Sequence, residues 1–261
     1  MESVAIAKEN VRAEIVPERG AIVTSIQVGG AELLYLDRGT LEDPAKNVRG
    51  GIPILFPFAG KLPEENFIPA GTKMKQHGFG RNKRWGIASQ HADRVVLKLV
   101  QDSETRAQYP YEFEVEYAAT ILPRGLSVEF RVRNHGAKPL PLSPGWHPYF
   151  RCPAGKKSQV TSDVPGLGAD RFRNDQEFDF GAEASANGRA CFNVPGLGKI
   201  AINFTPGMRH MQFWSLPGKE FICLEPFWGP ANTVNTDRRL DIQAKQSGGL
   251  FMQIELLEAG N

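Results

Sequence analysis

Between Tyr111 and Arg133 apolar and polar side chains alternate almost one for one, and this period of two constrains the fold more than any other feature. Tyr111, Phe113, Val115 and Tyr117 interleave with Glu112, Glu114 and Glu116. After Leu122-Pro123-Arg124-Gly125, the series Leu126, Val128, Phe130 and Val132 interleaves with Ser127, Glu129, Arg131 and Arg133. Successive side chains of a strand point to opposite faces, so the segment reads as a hairpin with one buried and one wet face.

Weaker copies of the signal recur along the chain. Residues 21–28 and 31–36 flank Gly29-Gly30, a dipeptide suited to a tight hairpin turn. Val95, Leu97 and Leu99 alternate with Val96 and Lys98, and Leu250, Met252, Ile254 and Leu256 alternate with Phe251, Gln253 and Glu255. Shorter candidates lie at 199–204, 209–214 and 221–224. No convincing amphipathic helix is found. Gly (27) and Pro (19) are scattered as turn punctuation rather than gathered into a linker. The expectation is therefore an all-β fold, a single domain over residues 1–261 with two large packed antiparallel sheets. Long connections are expected at about 37–75 and 151–190, where function or a sheet cover would reside.

Composition narrows the partners. Basic residues number 31 and acidic residues 29, a formal net charge of +2, which gives no footprint for nucleic acid or an anionic membrane. No run of about 18 apolar residues offers a membrane span. The three cysteines, Cys152, Cys191 and Cys223, form no CxxC pair and read as reduced thiols. With no basic n-region and apolar stretch at the N-terminus, a cytoplasmic location is expected.

Five histidines are present. His91 and His135 read as surface or turn residues, and His210, in a short strand, reads as structural. His77 lies in Gln76-His77-Gly78-Phe79-Gly80-Arg81-Asn82, where two glycines allow close backbone approach. His147 lies in Pro144-Gly145-Trp146-His147-Pro148-Tyr149-Phe150, stiffened by proline on both sides. A positioned imidazole suits general acid–base work because its pKa is near neutral, and it equally suits a hydrogen-bonded core. Glu225, in Phe221-Ile222-Cys223-Leu224-Glu225-Pro226-Phe227-Trp228, ends an apolar strand. Desolvation there would raise its pKa and make it a better base; the other reading is a buried salt bridge. There is no HxxxH, HExxH or CxxC spacing for a metal, no phosphate-loop or dinucleotide fingerprint, and no GxSxG elbow, so neither metal nor cofactor is expected.

Three ordered segments resemble the aldose 1-epimerase (galactose mutarotase) family, and more closely its branch that includes hexose-6-phosphate mutarotases. They are Arg49-Gly50-Gly51-Ile52-Pro53 running on to His77-Gly78-Phe79-Gly80-Arg81, then His147-Pro148-Tyr149-Phe150, then Ile222-Cys223-Leu224-Glu225-Pro226. Related sequences commonly read HGFAR where this chain has Gly80. The resemblance implies a β-supersandwich with a sugar cleft on one sheet. It implies an isomerase that opens and recloses an aldose ring, with Glu225 as base, His147 as acid and His77 stabilising charge on oxygen. It implies further that Arg49 and Arg81 contact the substrate, either a 6-phosphate or sugar hydroxyls, and that a mid-chain aspartate, Asp170 or Asp175, holds hydroxyls. Trp146, Trp228 and Phe79 are candidates for an apolar platform or for core. The expected partner is a small-molecule sugar or sugar phosphate, with the chain a monomer or weak homodimer. A non-catalytic carbohydrate-binding protein on the same scaffold is the rival reading.

Overall fold

A computed structural model describes residues 1–260. The alternating segment forms the expected hairpin, Phe113–Leu122 paired antiparallel with Gly125–Asn134. On its buried face lie Phe113, Val115, Tyr117, Leu126, Val128, Phe130 and Val132. The opposite face carries a charge ladder in which Glu114 is 3.2 Å from Lys98 and 3.9 Å from Arg133. Such exposed pairs contribute little each; the pattern's main effect is to fix which face is buried.

This hairpin sits inside an eight-stranded antiparallel sheet. Its order is Thr161–Ser162, Arg189–Val194, Gly198–Phe204, Ser247–Ala259, Gly125–Asn134, Phe113–Leu122, Arg94–Val100 and Gly86–Gln90. A six-stranded sheet runs Phe178–Glu183, His210–Ser215, Phe221–Phe227, Gly145–Trp146 and Ile54–Leu55, with Tyr149–Arg151 also paired to Phe221–Phe227. Four N-terminal strands, Val4–Lys8, Val11–Val16, Ile22–Val28 and Ala31–Glu32, make a third sheet. The two large sheets share one apolar core. Met211, Phe213, Ile222 and Leu224 from the six-stranded sheet join the same buried cluster as the hairpin residues. Trp146 spans the interface by stacking on Phe130, ring centroids 4.8 Å apart at 17°.

Several expectations are revised. The strand expected over residues 31–36 stops at Glu32, continuing only as isolated bridges from Leu34 and Leu36. The expected connection over 151–190 contains the strand Phe178–Glu183. Phe178, Phe180 and Ala182 alternate there with Asp179, Gly181 and Glu183, a short run in which Gly181 supplies no side chain on the polar face. Two short α-helices occur, Arg38–Glu42 and Ser103–Gln108, each capped by an aspartate side chain, Asp37 and Asp102, that accepts from a backbone N–H.

Candidate active site

Strand periodicity builds the site on one face of the six-stranded sheet. Along Phe221–Phe227, Ile222 and Leu224 enter the core, so Cys223, Glu225 and Phe227 share the opposite face. The register pairs Tyr149 with Cys223 and Gly145 with Phe227. Between those pairs the chain leaves regular pairing at His147-Pro148, and the same register sets His147 opposite Glu225. The Nδ1 of His147 lies 3.5 Å from Oε2 of Glu225. On the other flank Gln212 pairs with Glu225 and Trp214 with Asp179.

A cleft of about 380 Å³ opens above this face, lined by Glu225, His147, His77, Arg49 and Arg81 together with Lys61, Gln76, Tyr149, Glu177, Asp179, Gln212 and Trp214. Of the residues singled out from sequence, Glu225, His147, His77, Arg49 and Arg81 are thus brought together. Trp146 and Asp170 are not. Alternation turns Trp146 into the core at 0% exposure while its neighbour His147 faces the cleft. Asp170 and Asp175 are exposed and stand outside it. Besides Glu225, the acidic residues lining the cleft are Glu177 and Asp179, the latter carried by the strand that the sequence pattern did not reveal. The aromatic wall is likewise different. Phe79 packs on Phe113 in the core and Trp228 hydrogen-bonds the Arg238 carbonyl, whereas Trp214 and Tyr149 line the cleft. The signal available for Trp214 was its place in step with Gln212 and His210 on one strand face.

His77 comes from a loop bent into the left-handed region, φ 68° at His77 and 63° at Gly78. A Cβ at Gly78 would lie 2.4 Å from the Phe56 carbonyl oxygen, so this position excludes any larger residue. The loop is tied to Gly60 twice. The His77 N–H donates to the Gly60 carbonyl at 2.9 Å, and the Gly60 N–H donates to His77 Nδ1 at 3.0 Å. A backbone N–H can only donate, so Nδ1 is unprotonated and the neutral ring carries its proton on Nε2, 2.9 Å from the Gln76 side-chain amide, which must then present its oxygen, not its NH₂, to that N–H. Burial and then the charge of Arg81 push the His77 pKa well down. His77 is therefore a neutral N–H donor, 5.8 Å ring to ring from His147.

Burial dominates the remaining electrostatics. Glu225 is 1% exposed; desolvation, reinforced by Asp179, raises its carboxyl pKa well above the ordinary range. The His147 imidazole is pushed down to about 3 by desolvation and then by Arg81. The ring stacks on Tyr149 at 4.7 Å and 8°, and with Nδ1 turned toward Glu225, Nε2 is left for a substrate oxygen. Arg81 donates from Nη2 to the Gln76 carbonyl at 3.2 Å, and its Nε is buried with no partner among the described residues. Arg49 lies over the Trp214 ring at 5.0 Å, a cation–π contact at the cleft mouth. The Cys223 Sγ stands with donor atoms of His147 and Glu225, all within 4.8 Å of one another. Burial pushes its thiol pKa well up, and the neighbouring Glu225 adds to this.

The comparisons bear on the family and the fold. Residues 2–190 match the family model described as aldose 1-epimerase, and the chain belongs to that family. The solved structure of the Slr1438 protein from Synechocystis sp. PCC 6803 is 31% identical, with a TM-score of 0.89 over 97% of this chain and 95% of that one. A galactose mutarotase related enzyme from Lactobacillus acidophilus has the same fold, TM-score 0.81 at 18% identity, covering 100% and 99% of the two chains. The Escherichia coli protein named "Putative glucose-6-phosphate 1-epimerase" is 29% identical over 179 residues, 66% of this chain and 54% of that protein. The chain spans about half the length of the curated relatives it matches. Among the described residues no helix is long and apolar enough to cross a membrane.

Proposed function

We propose that the protein is a mutarotase, interconverting the α and β anomers of an aldohexose, with a hexose 6-phosphate as the substrate class its cleft suits best. The observation that carries the reading is the buried pair of Glu225 and His147, 3.5 Å apart, opening on a cleft lined by polar groups. Ring opening removes the proton of the C1 hydroxyl, protonates the ring oxygen and yields the aldehyde. Rotation about C1–C2 and closure on the other carbonyl face complete the exchange. Glu225 is the base at the C1 hydroxyl and His147 the acid at the ring oxygen through Nε2. Asp179 accepts from sugar hydroxyls, and the Nε2–H of His77 donates to the oxygen on which charge develops.

The two pKa directions make sense as a pair that holds one proton. At rest burial favours the uncharged tautomer, with the proton on Glu225 and His147 neutral. At 3.5 Å the Nδ1–Oε2 approach is not yet a hydrogen bond; tightened around the substrate, it lets the proton cross to give carboxylate and imidazolium, the form that can accept from O1 and donate to the ring oxygen together. Closure returns both protons, so the pair resets without cofactor or covalent intermediate. Positioned acid–base catalysis of this kind contributes roughly 10²–10⁴-fold.

Support for a phosphorylated substrate comes from Arg49, Lys61 and Arg81, three cations in one cleft, and from the names of the curated relatives. Polarimetry on freshly dissolved α-glucose, α-galactose and glucose 6-phosphate tests it. The phosphorylated sugar is expected to have the lowest KM. Lys61→Ala should raise that KM roughly tenfold, the scale of one charge-assisted hydrogen bond, while changing the glucose value little. Equal KM values for free and phosphorylated glucose, unmoved by Lys61→Ala, would argue for a free sugar.

A further inference from the structure

The mechanism leaves two polar side chains on the cleft face of the His210–Ser215 strand without a role, His210 and Gln212. They are joined to Asp179 in a single line. The His210 Nε2 lies 2.7 Å from Gln212 Oε1, and Gln212 Nε2 donates to Asp179 Oδ1 at 2.5 Å. The direction of every bond in this line is fixed by its end. A carboxylate only accepts, so the amide must turn its NH₂ to Asp179 and its oxygen to His210, and His210 must then carry a proton on Nε2. Burial lowers the His210 pKa, which favours the neutral ring in that one tautomer.

The strand next door is shaped to admit the ring. Gly181 pairs with Gln212 across the strands, and a Cβ there would lie 2.1 Å from Cε1 and 2.7 Å from Nε2 of His210. The imidazole therefore occupies the space that any other residue at position 181 would fill. Gln212 also pairs with Glu225 on its other side, so the amide lies between the proposed base and the proposed hydroxyl acceptor.

We propose that Gln212 is a positioning residue, clamped by His210 over Gly181, whose amide holds Asp179 in one rotamer as the acceptor for a substrate hydroxyl. The clamp leaves Asp179 its second carboxylate oxygen for the sugar. The roles of substrate and hydroxyl acceptor rest on the mutarotase reading; the direction of the clamp does not.

Two measurements test it separately. Nitrogen-15 NMR of the wild-type histidine side chains at neutral pH reads the tautomer without any turnover. A His210 signal of the Nε2–H form that shifts toward a tautomer mixture in Gln212→Met is expected, and an Nδ1–H ring in the wild type overturns the clamp. Polarimetry then compares Gln212→Met, Asp179→Ala and the double variant, each checked for an unchanged melting profile. Gln212→Met should raise KM roughly 10–100-fold with kcat changed less, the range for loss of a hydrogen bond to a charged group. In the Asp179→Ala background the same change should cost almost nothing, because the group being positioned is gone. Additive losses would instead mean that Gln212 acts on the substrate or the fold directly, and overturn the proposal. Absence of turnover in the wild type would sink the mutarotase reading and with it the roles of substrate and hydroxyl acceptor, while the tautomer measurement still decides the clamp.

Discussion

Glu225 carries two demands. Its carboxyl is buried beside Asp179, so the folded state prefers it protonated, with a pKa well above the ordinary carboxylate value. A raised folded pKa gives stability that is complete below the unfolded pKa and lost as pH rises through the folded one. Activity has the same sign, since the working pair holds one proton: turnover should fall as pH rises through the raised pKa, where the pair loses the proton that His147 must donate to the ring oxygen. Glu225→Gln mimics the protonated form without the ability to take a proton. It should lose about 10²–10⁴-fold in kcat while melting higher than wild type at neutral and alkaline pH, by polarimetry and differential scanning calorimetry respectively. Loss of both activity and stability would indicate a structural salt bridge instead. At this scale the sequence was informative where motif and strand coincided. His147 opposite Glu225 follows from the register on either side of it. His77's tautomer could not be read, because it is fixed by Gly60, 17 positions away.

At the level of elements, the segment from Gly60 to Arg81 lines the cleft with Gly60, Lys61, Gln76, His77 and Arg81, and the strand Phe178–Glu183 adds Asp179. Two glycines of the first, Gly78 and Gly80, are enforced by proximity. Gly78 lies against the Phe56 carbonyl at positive φ, and a Cβ at Gly80 would come within 2.9 Å of the Phe56 Cβ. Gly78→Ala combines backbone strain with overlap and should cost about 2 kcal/mol or more, moving His77 with it. Chemical denaturation should show the loss, with KM raised even at temperatures where the variant is folded; wild-type stability would mean that the loop relaxes freely. The hairpin at Phe113–Asn134 was legible because one of its faces is wet and the other apolar. The Phe178–Glu183 strand was not, because its cleft side carries Asp179, Gly181 and Glu183, with no Cβ in the middle position, where the His210 ring lies. A six-residue alternation with its middle polar position empty is a brief signal beside the long hairpin, and that is where Asp179 lay hidden.

Across the whole molecule, the site depends on how two sheets pack. Trp146 and His147 are consecutive, and the turn of one into the core and the other into the cleft couples packing to geometry. Trp146→Ala removes the stack on Phe130 and leaves a large cavity, which should cost about 3–5 kcal/mol in urea unfolding. A loss under 1 kcal/mol would mean that the sheets repack around the void. The all-β architecture was readable from alternation alone, and the grouping of Arg49, His77, Arg81, His147 and Glu225 from the ordered family-like segments. The third sheet was not foreseen, since the strands at Val4–Lys8 and Val11–Val16 show too brief an alternation to stand out.

The central claim is that the Glu225 and His147 pair accelerates the exchange of sugar anomers. Polarimetric decay of freshly dissolved α-glucose and of glucose 6-phosphate, with wild type and Glu225→Gln at equal concentration, tests it most directly. The account predicts relaxation well above the buffer rate for at least one of these sugars with wild type, reduced by about 10²–10⁴-fold in the variant. A wild-type rate equal to buffer with both sugars, or a variant as active as wild type, would contradict it.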